Sequence, residues 1–223
     1  MKQLLTANVA THLYWLGRYL ERIESTLIWV MKAYDFVIDV DKNAGVALYK
    51  KFGIDLEYSD SQSFLNNALL GEHTANIYSL TSIARENAII CRSQIDAEAF
   101  GEIIELNGIF DKASKNKTNI NHQCIDTAHS LIREIWGSLS RRKSRQSSDY
   151  FFRLGKIVEE LDFYLRFGAD RDIVGIVIKN IDVIIKKLSC ESESDAKEYQ
   201  SLSMEQENIM FEIDKRIAKI IVG

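Results

Sequence analysis

An all-α protein, a helical bundle built on two long, related central helices with peripheral helices around them, is what this sequence predicts, and three observations carry the prediction. Its 223 residues include no proline and only 11 glycines. At an average usage near 5 per cent about 11 prolines would be expected, so an all-β sandwich with its Gly/Pro turns is excluded. Apolar residues recur at three- and four-residue steps, and nothing alternates with period two for long. With 46% hydrophobic and 27% charged residues, the chain is not disordered and can bury a sizeable core. Its length suits one domain over 1–223, with a possible internal repeat in halves of about 1–115 and 122–223.

Thr6 to about Asp39 reads as one long helix, because Val9, Leu13, Leu16, Leu20, Ile23, Leu27, Val30, Met31, Tyr34 and Ile38 form an apolar stripe. Tyr14, Trp15, Arg18, Arg22 and Trp29 lie on the other side, an odd choice for a face that only meets water, so this helix is expected to be covered twice. Asp41 to Asp60 reads as a connection with a helical turn around Ala47 to Phe52. Ser61 is the expected N-cap of a short helix ending at Gly71. The next helix starts at Thr74 or Asn76 and runs to about Gln94, with Ile77, Thr81, Ala84, Ala88, Cys91 and Ile95 as a small-residue stripe suited to close helix contact. Asp96 opens a further helix that dissolves in Ser114 to Asn121, the expected linker.

In the second half, His122 or Gln123 to Leu139 is helical, followed by a basic, serine-rich loop from Ser140 to Ser148. Asp149 is the expected cap of a helix from Tyr150 to Phe167, closed by Gly168, and Asp170 opens another through Leu188. Cys190 to Lys197 is acidic and serine-rich. The last helix, about Leu202 to Val222, is expected to place Met204, Ile209, Phe211, Ile213, Ile217 and Ile221 near one side.

The 28 basic and 32 acidic residues give a net charge of −4, so nothing global selects nucleic acid or anionic lipid as a partner. Apolar runs fall far short of the roughly 20 residues that span a bilayer. Thr6, Asn8, Thr11 and His12 interrupt any signal-peptide core near the N-terminus. Cys91, Cys124 and Cys190 are odd in number and outside any CxxC pattern, which fits reduced thiols in a cytoplasm.

One self-similarity stands out. Leu13 to Leu27 aligns without gaps on Phe151 to Leu165 at an offset of 138 residues. Leu16, Gly17, Glu21 and Leu27 fall on Leu154, Gly155, Glu159 and Leu165, whereas Arg22 faces Glu160. A glycine inside a helix costs about 1 kcal/mol relative to alanine, so its coincidence in both segments calls for a reason. A crossing where only glycine fits supplies one, and Gly17 and Gly155 are therefore expected at the contact of two related helices.

Tyr14 to Arg22 (YWLGRYLER), Ala84 to Ala88 (ARENA) with Arg92, Gln94-Ile95 and Glu98-Ala99-Phe100, and Asp149 with Phe152 to Lys156 together resemble the bacterial alpha-E family, an all-helical domain named for its Glu-Arg motif. The resemblance covers most of the chain. It departs from the family at Glu159-Glu160, where a second Glu-Arg pair is usual, and at Phe100, where tryptophan is typical. The family's activity is not established. Its members resemble companions of circularly permuted ATP-grasp ligases and transglutaminase-like proteins, which implies a part in making or remodelling an amide or peptide bond. ATP-grasp chemistry needs a glycine-rich phosphate cover, and the chain has no such loop, so the ligase would be the partner and no cofactor is expected here.

The candidate site comprises Arg18, Glu21, Arg22, Arg85, Glu86 and Arg92. The first three share one helical turn, while Arg85 and Arg92 would lie on one face about 10 Å apart. Guanidinium groups bind carboxylates or phosphates bidentately. The cluster can therefore be an interhelical network that fixes bundle register, a pocket for an anion or acyl group, or a partner interface. Asp126 and His129 have the spacing of a bundle metal site, but no Glu-x-x-His accompanies them, so no metal is expected. Arg141, Arg142, Lys143 and Arg145 read as a solvated loop. Three functions remain open: a non-catalytic accessory or substrate-presenting protein for the ligase system, an enzyme acting on an amide or peptide with Glu21 or Glu86 as general base, and a plain scaffold.

Overall fold

A computed structural model describes residues 5–116, 120–140, 146–189 and 206–222. Among these the protein is all-α, with nine α-helices, one 3-10 turn and no strand. It divides into two compact units, one formed by Met1–Arg18 with Ser144–Gly223 and the other by Tyr19–Lys143. The first helix, α1 (Ala7–Asp39), gives its residues up to Arg18 to the former and the rest to the latter.

In the first unit the start of α1 meets α7 (Ser147–Phe167), α8 (Arg171–Ser189) and α9 (Gln206–Val222). The core joins Tyr14 to Leu154, Val158 and Leu161 of α7, Val174 and Ile181 of α8, and Ile209, Ile213 and Ile217 of α9. Gly168 closes α7 in the left-handed region at φ +71°, where a side chain would be strained. α7 starts at Ser147, earlier than the sequence predicts. Asp149 consequently occupies the third helical position, where its carboxylate accepts the Gln146 amide at 2.7 Å.

The two internal glycines meet at one close helix contact, as expected from the ungapped alignment of their segments. A Cβ on Gly17 would fall on the Phe152 carbonyl oxygen and stand 3.0 Å from the Lys156 amide nitrogen; one on Gly155 would fall on the Tyr14 carbonyl and stand 2.9 Å from the Arg18 amide. The four partners are related by the same offset as the glycines, so the contact is reciprocal. Backbone touches backbone here, which no other residue permits. Elsewhere the helices differ, since α1 spans 33 residues and α7 spans 21.

The second unit holds the rest of α1 with α2 (Ala44–Lys50), α3 (Ser61–Leu70), α4 (Ile77–Ile90), α5 (Ala97–Asn116) and α6 (His122–Ser140). α5 packs on both α4 and α6. The small-residue stripe is buried as expected, with Ile77, Ala84, Ala88 and Cys91 fully inaccessible. Four expectations need correction. Asp60, not Ser61, caps α3: its carboxylate accepts the Ser63 amide at 2.7 Å while Ser63 Oγ accepts the Asp60 amide at 3.0 Å. α4 stops at Ile90, and a 3-10 turn over Arg92–Gln94 reverses the chain so that Ile95 is buried and α5 can fold back onto α4.

The expected linker is the third. α5 continues through Asn116, and beyond 117–119, which lie outside the described residues, Ile120 is buried with its amide donated to Asn66 and its carbonyl accepting from Gln62. Finally, Ile38 and Phe211 face outward, 53% and 65% exposed; Val37 takes the buried place on α1, and Ile209, Ile213 and Ile217 carry the buried stripe of α9. The residues of the basic loop at 141–145, the acidic segment from Cys190 to Lys197, and Met204 lie outside the described residues.

Candidate functional site

Arg18 is the most enclosed cation of the expected cluster. Its glycine neighbour lets α7 approach to backbone contact, and its side chain, 9% exposed, donates from Nε to Glu159 Oε2 at 2.7 Å. The Glu159 side chain is wholly inaccessible. Aromatic rings complete the enclosure, the guanidinium carbon lying 5.2 Å from the Trp15 ring centroid and 5.9 Å from that of Tyr14. Burial works against the charged guanidinium, but the fields of Glu159, Tyr14 and Asp214 outweigh it and hold Arg18 above its ordinary range. Burial pushes the Tyr14 phenol up to about 12, with Arg18 opposing the shift.

Two further carboxylates surround this pair. Asp162, one turn along α7 and buried, accepts from Arg166 Nε at 2.8 Å. Asp214 on α9 has its pKa raised, first by desolvation and then by Asp162 and Glu159, while Arg18 opposes the rise. None of the three carboxylates, Glu159, Asp162 and Asp214, is among the site residues expected from the sequence. Glu159 carries a signal, because it aligns with Glu21 between the two self-similar segments, but its partner across the crossing is invisible in one dimension.

The raised Asp214 predicts a pH dependence. A carboxyl whose folded pKa lies above its unfolded 3.8 penalises the native state once it ionises, and the penalty is relieved as pH falls through the folded value. Asp214→Asn should therefore be at least as stable as the natural protein at pH 7. Its advantage should shrink between pH 7 and pH 4, as followed by urea unfolding at several pH values. A variant less stable at pH 7, with a deficit that shrinks at low pH, would show that the ionised carboxylate is favourable.

The remaining expected residues belong to the second unit. Glu21 is buried, and its Oε1 accepts the Ser25 hydroxyl at 3.0 Å. Arg22 lies over the Tyr19 ring at 6.0 Å. Arg85 and Glu86, adjacent on α4, pair with each other at the surface. Arg92 sits beyond the end of α4, exposed, with its guanidinium 5.0 Å from the Phe100 ring centroid. The expected single face carrying Arg85 and Arg92 is thus broken by the 3-10 turn.

Other chemistry is sparse. Among the described residues no group of three or more His, Cys, Asp and Glu side chains could hold a metal ion, and no helix is long and apolar enough to cross a membrane. Asp126 is exposed, and burial lowers the His129 pKa. Cys91 and Cys124 are thiols outside any disulfide, and burial pushes Cys91 up to about 12, away from the reactive thiolate. In the first unit, an open groove of about 410 Å³ runs between α7 and α8.

The chain belongs to the alpha-E family: the model of that family, a predicted alpha-helical domain with a conserved ER motif, matches residues 5–175. Within the matched residues the sequence holds one Glu-Arg dipeptide, Glu21-Arg22, one turn beyond Gly17 and Arg18 on α1. No curated protein and no solved structure matches the chain.

Proposed function

We propose that the chain is a non-catalytic accessory protein that presents a substrate in the bacterial cytoplasm, alongside a circularly permuted ATP-grasp ligase and a transglutaminase-like protein that make or remodel an amide or peptide bond. The observation that carries this reading is the state of Arg18. Its guanidinium is committed to Glu159 inside a glycine crossing and flanked by aromatic rings, so it serves the packing of helices. The exposed Arg85–Glu86 pair and Arg92 contribute a polar surface, and an exposed ion pair adds little to stability. In this reading the chemistry belongs to the partner. A second reading, an enzyme acting on an amide or peptide substrate, is favoured by Asp214, whose raised pKa beside a buried guanidinium suits general acid–base work.

The two readings separate in one titration and one purification. The isolated chain should show no heat of binding with magnesium-ATP, and it should co-purify from its native host with an ATP-grasp ligase identified by mass spectrometry. Tight magnesium-ATP binding by the isolated chain would overturn the accessory role. So would turnover of an amide substrate by the chain alone that Asp214→Asn abolishes.

A further inference from the structure

We propose that the outward face of α7 and α8 docks a second copy of this chain, in a dimer whose twofold axis lies perpendicular to both helices at the level of Asn180; the inference is independent of the accessory role. α8 carries two stripes. Val174, Val177, Ile181 and Ile184 face the core of the first unit. One residue earlier at each step, Ile173, Ile176, Asn180 and Val183 repeat on the outside, followed by Lys187. The three apolar members of this second stripe remain 44%, 58% and 53% exposed. A helix face that meets only water is ordinarily polar. Isoleucine, isoleucine and valine at heptad spacing around one asparagine are instead the pattern of a seam that takes a helical partner, with the asparagine setting its register.

Charge complementarity identifies the partner as a copy. α7 ends at Phe167 and α8 begins at Arg171, so the two helices run antiparallel, and the Lys187 ammonium, 5.5 Å from the Tyr150 ring centroid, fixes which residues are level. Arg153 and Glu160 line the α7 wall of the groove, and the point midway between them is level with Asn180. A twofold axis there sets Arg153 of each copy against Glu160 of the other, Ile176 against Val183, Asp172 against Lys187, and Asn180 against itself. Opposite charges thus meet at both ends, and the Asn180 amide, which donates and accepts, is satisfied by its own counterpart. Lys156, on the same wall, has an interaction within its own chain and enters none of these pairs. An apolar partner would leave Arg153, Glu160 and Asn180 against apolar surface, and a partner of one charge sign would oppose either Arg153 or Glu160. The face runs about 21 Å from Tyr150 to Tyr164 and is two helices wide, which is small for a specific interface, so the dimer is a weak one that forms at high concentration.

Sedimentation velocity of the whole chain over a concentration series tests this directly. The natural protein should shift reversibly from one chain toward two as concentration rises, and Ile176→Asp should weaken the association at least about tenfold while keeping the natural circular dichroism spectrum, because the position is exposed. The charge pairs give a sharper result. Arg153→Glu alone sets glutamate against Glu160 of the other copy, and Glu160→Arg alone sets arginine against Arg153, so each variant should dimerise at least about tenfold more weakly than the natural protein. Mixed in equal amounts, the two variants should regain the natural affinity, since in the mixed dimer every such pair is again opposite in sign. A chain that stays monomeric up to about 1 mM overturns the proposal. So does a dimer that Ile176→Asp leaves intact, because its contact would lie elsewhere, and so does a mixture that associates no better than its two components. A different protein that co-purifies with the natural chain and is lost with Ile176→Asp, while the natural chain alone stays monomeric, would assign the face to that protein and overturn the dimer.

Discussion

Gly17→Ala and Gly155→Ala are each expected to destabilise the protein by about 1–3 kcal/mol, and Gly17→Leu by more, because each new Cβ meets a backbone carbonyl that cannot swing aside. The sign is informative. In a helix interior alanine is favoured over glycine by about 1 kcal/mol, so propensity alone predicts stabilisation. Gly101, Gly108 and Gly175 provide the control, since a Cβ at any of them meets nothing within 4 Å and alanine there should be neutral or stabilising. Because Gly17 and Gly155 face each other's helix at one crossing, separating the helices for one substitution makes room for the other. The double variant should therefore lose less than the sum of the single losses, as read from the urea midpoint of far-ultraviolet circular dichroism. Additive losses would mean that the two glycines act at independent contacts.

The second large effect concerns the buried ion pair beside that crossing. Arg18→Met leaves the wholly inaccessible Glu159 carboxylate without its guanidinium, and Glu159→Leu leaves a guanidinium enclosed by Trp15 and Tyr14 without its carboxylate. Breaking one member of a buried pair typically costs about 3–5 kcal/mol, because the survivor has lost both water and counter-charge. Arg85→Ala is the contrast. Its pair with Glu86 lies at the surface, so its loss should fall within about 0.5 kcal/mol of the natural protein.

The helices were legible in the sequence because apolar spacing and caps are local. The stripe from Ile77 to Ile95, the caps at Asn76 and Gly168, and the long α1 all follow from residues within a few turns. The crossing was legible for a different reason, a repeated glycine that helix propensity disfavours and close packing explains. Ends determined by tertiary packing were not legible. Nothing near Cys91 signals that α4 must stop at Ile90, since the stop serves the return of α5. The lysine- and asparagine-rich segment read as a linker because its anchors, Gln62 and Asn66, lie more than 50 residues away in the chain. The site shows the same division. Arg18 was identified from its motif, but the carboxylate that meets it depends on how α1 and α7 cross, and the pairing of Glu159 with Arg18 is a property of that crossing.

Arg18 acts in structure, by pairing with Glu159 where α1 and α7 meet. A double-mutant cycle in urea over Arg18→Met, Glu159→Leu and their combination tests it most directly. Each single variant should lose about 3–5 kcal/mol, and the double variant should recover most of that loss, because apolar side chains of similar size need no counter-charge in a buried place. Single variants within about 0.5 kcal/mol of the natural protein, or a double variant whose loss equals the sum of the two, would contradict it.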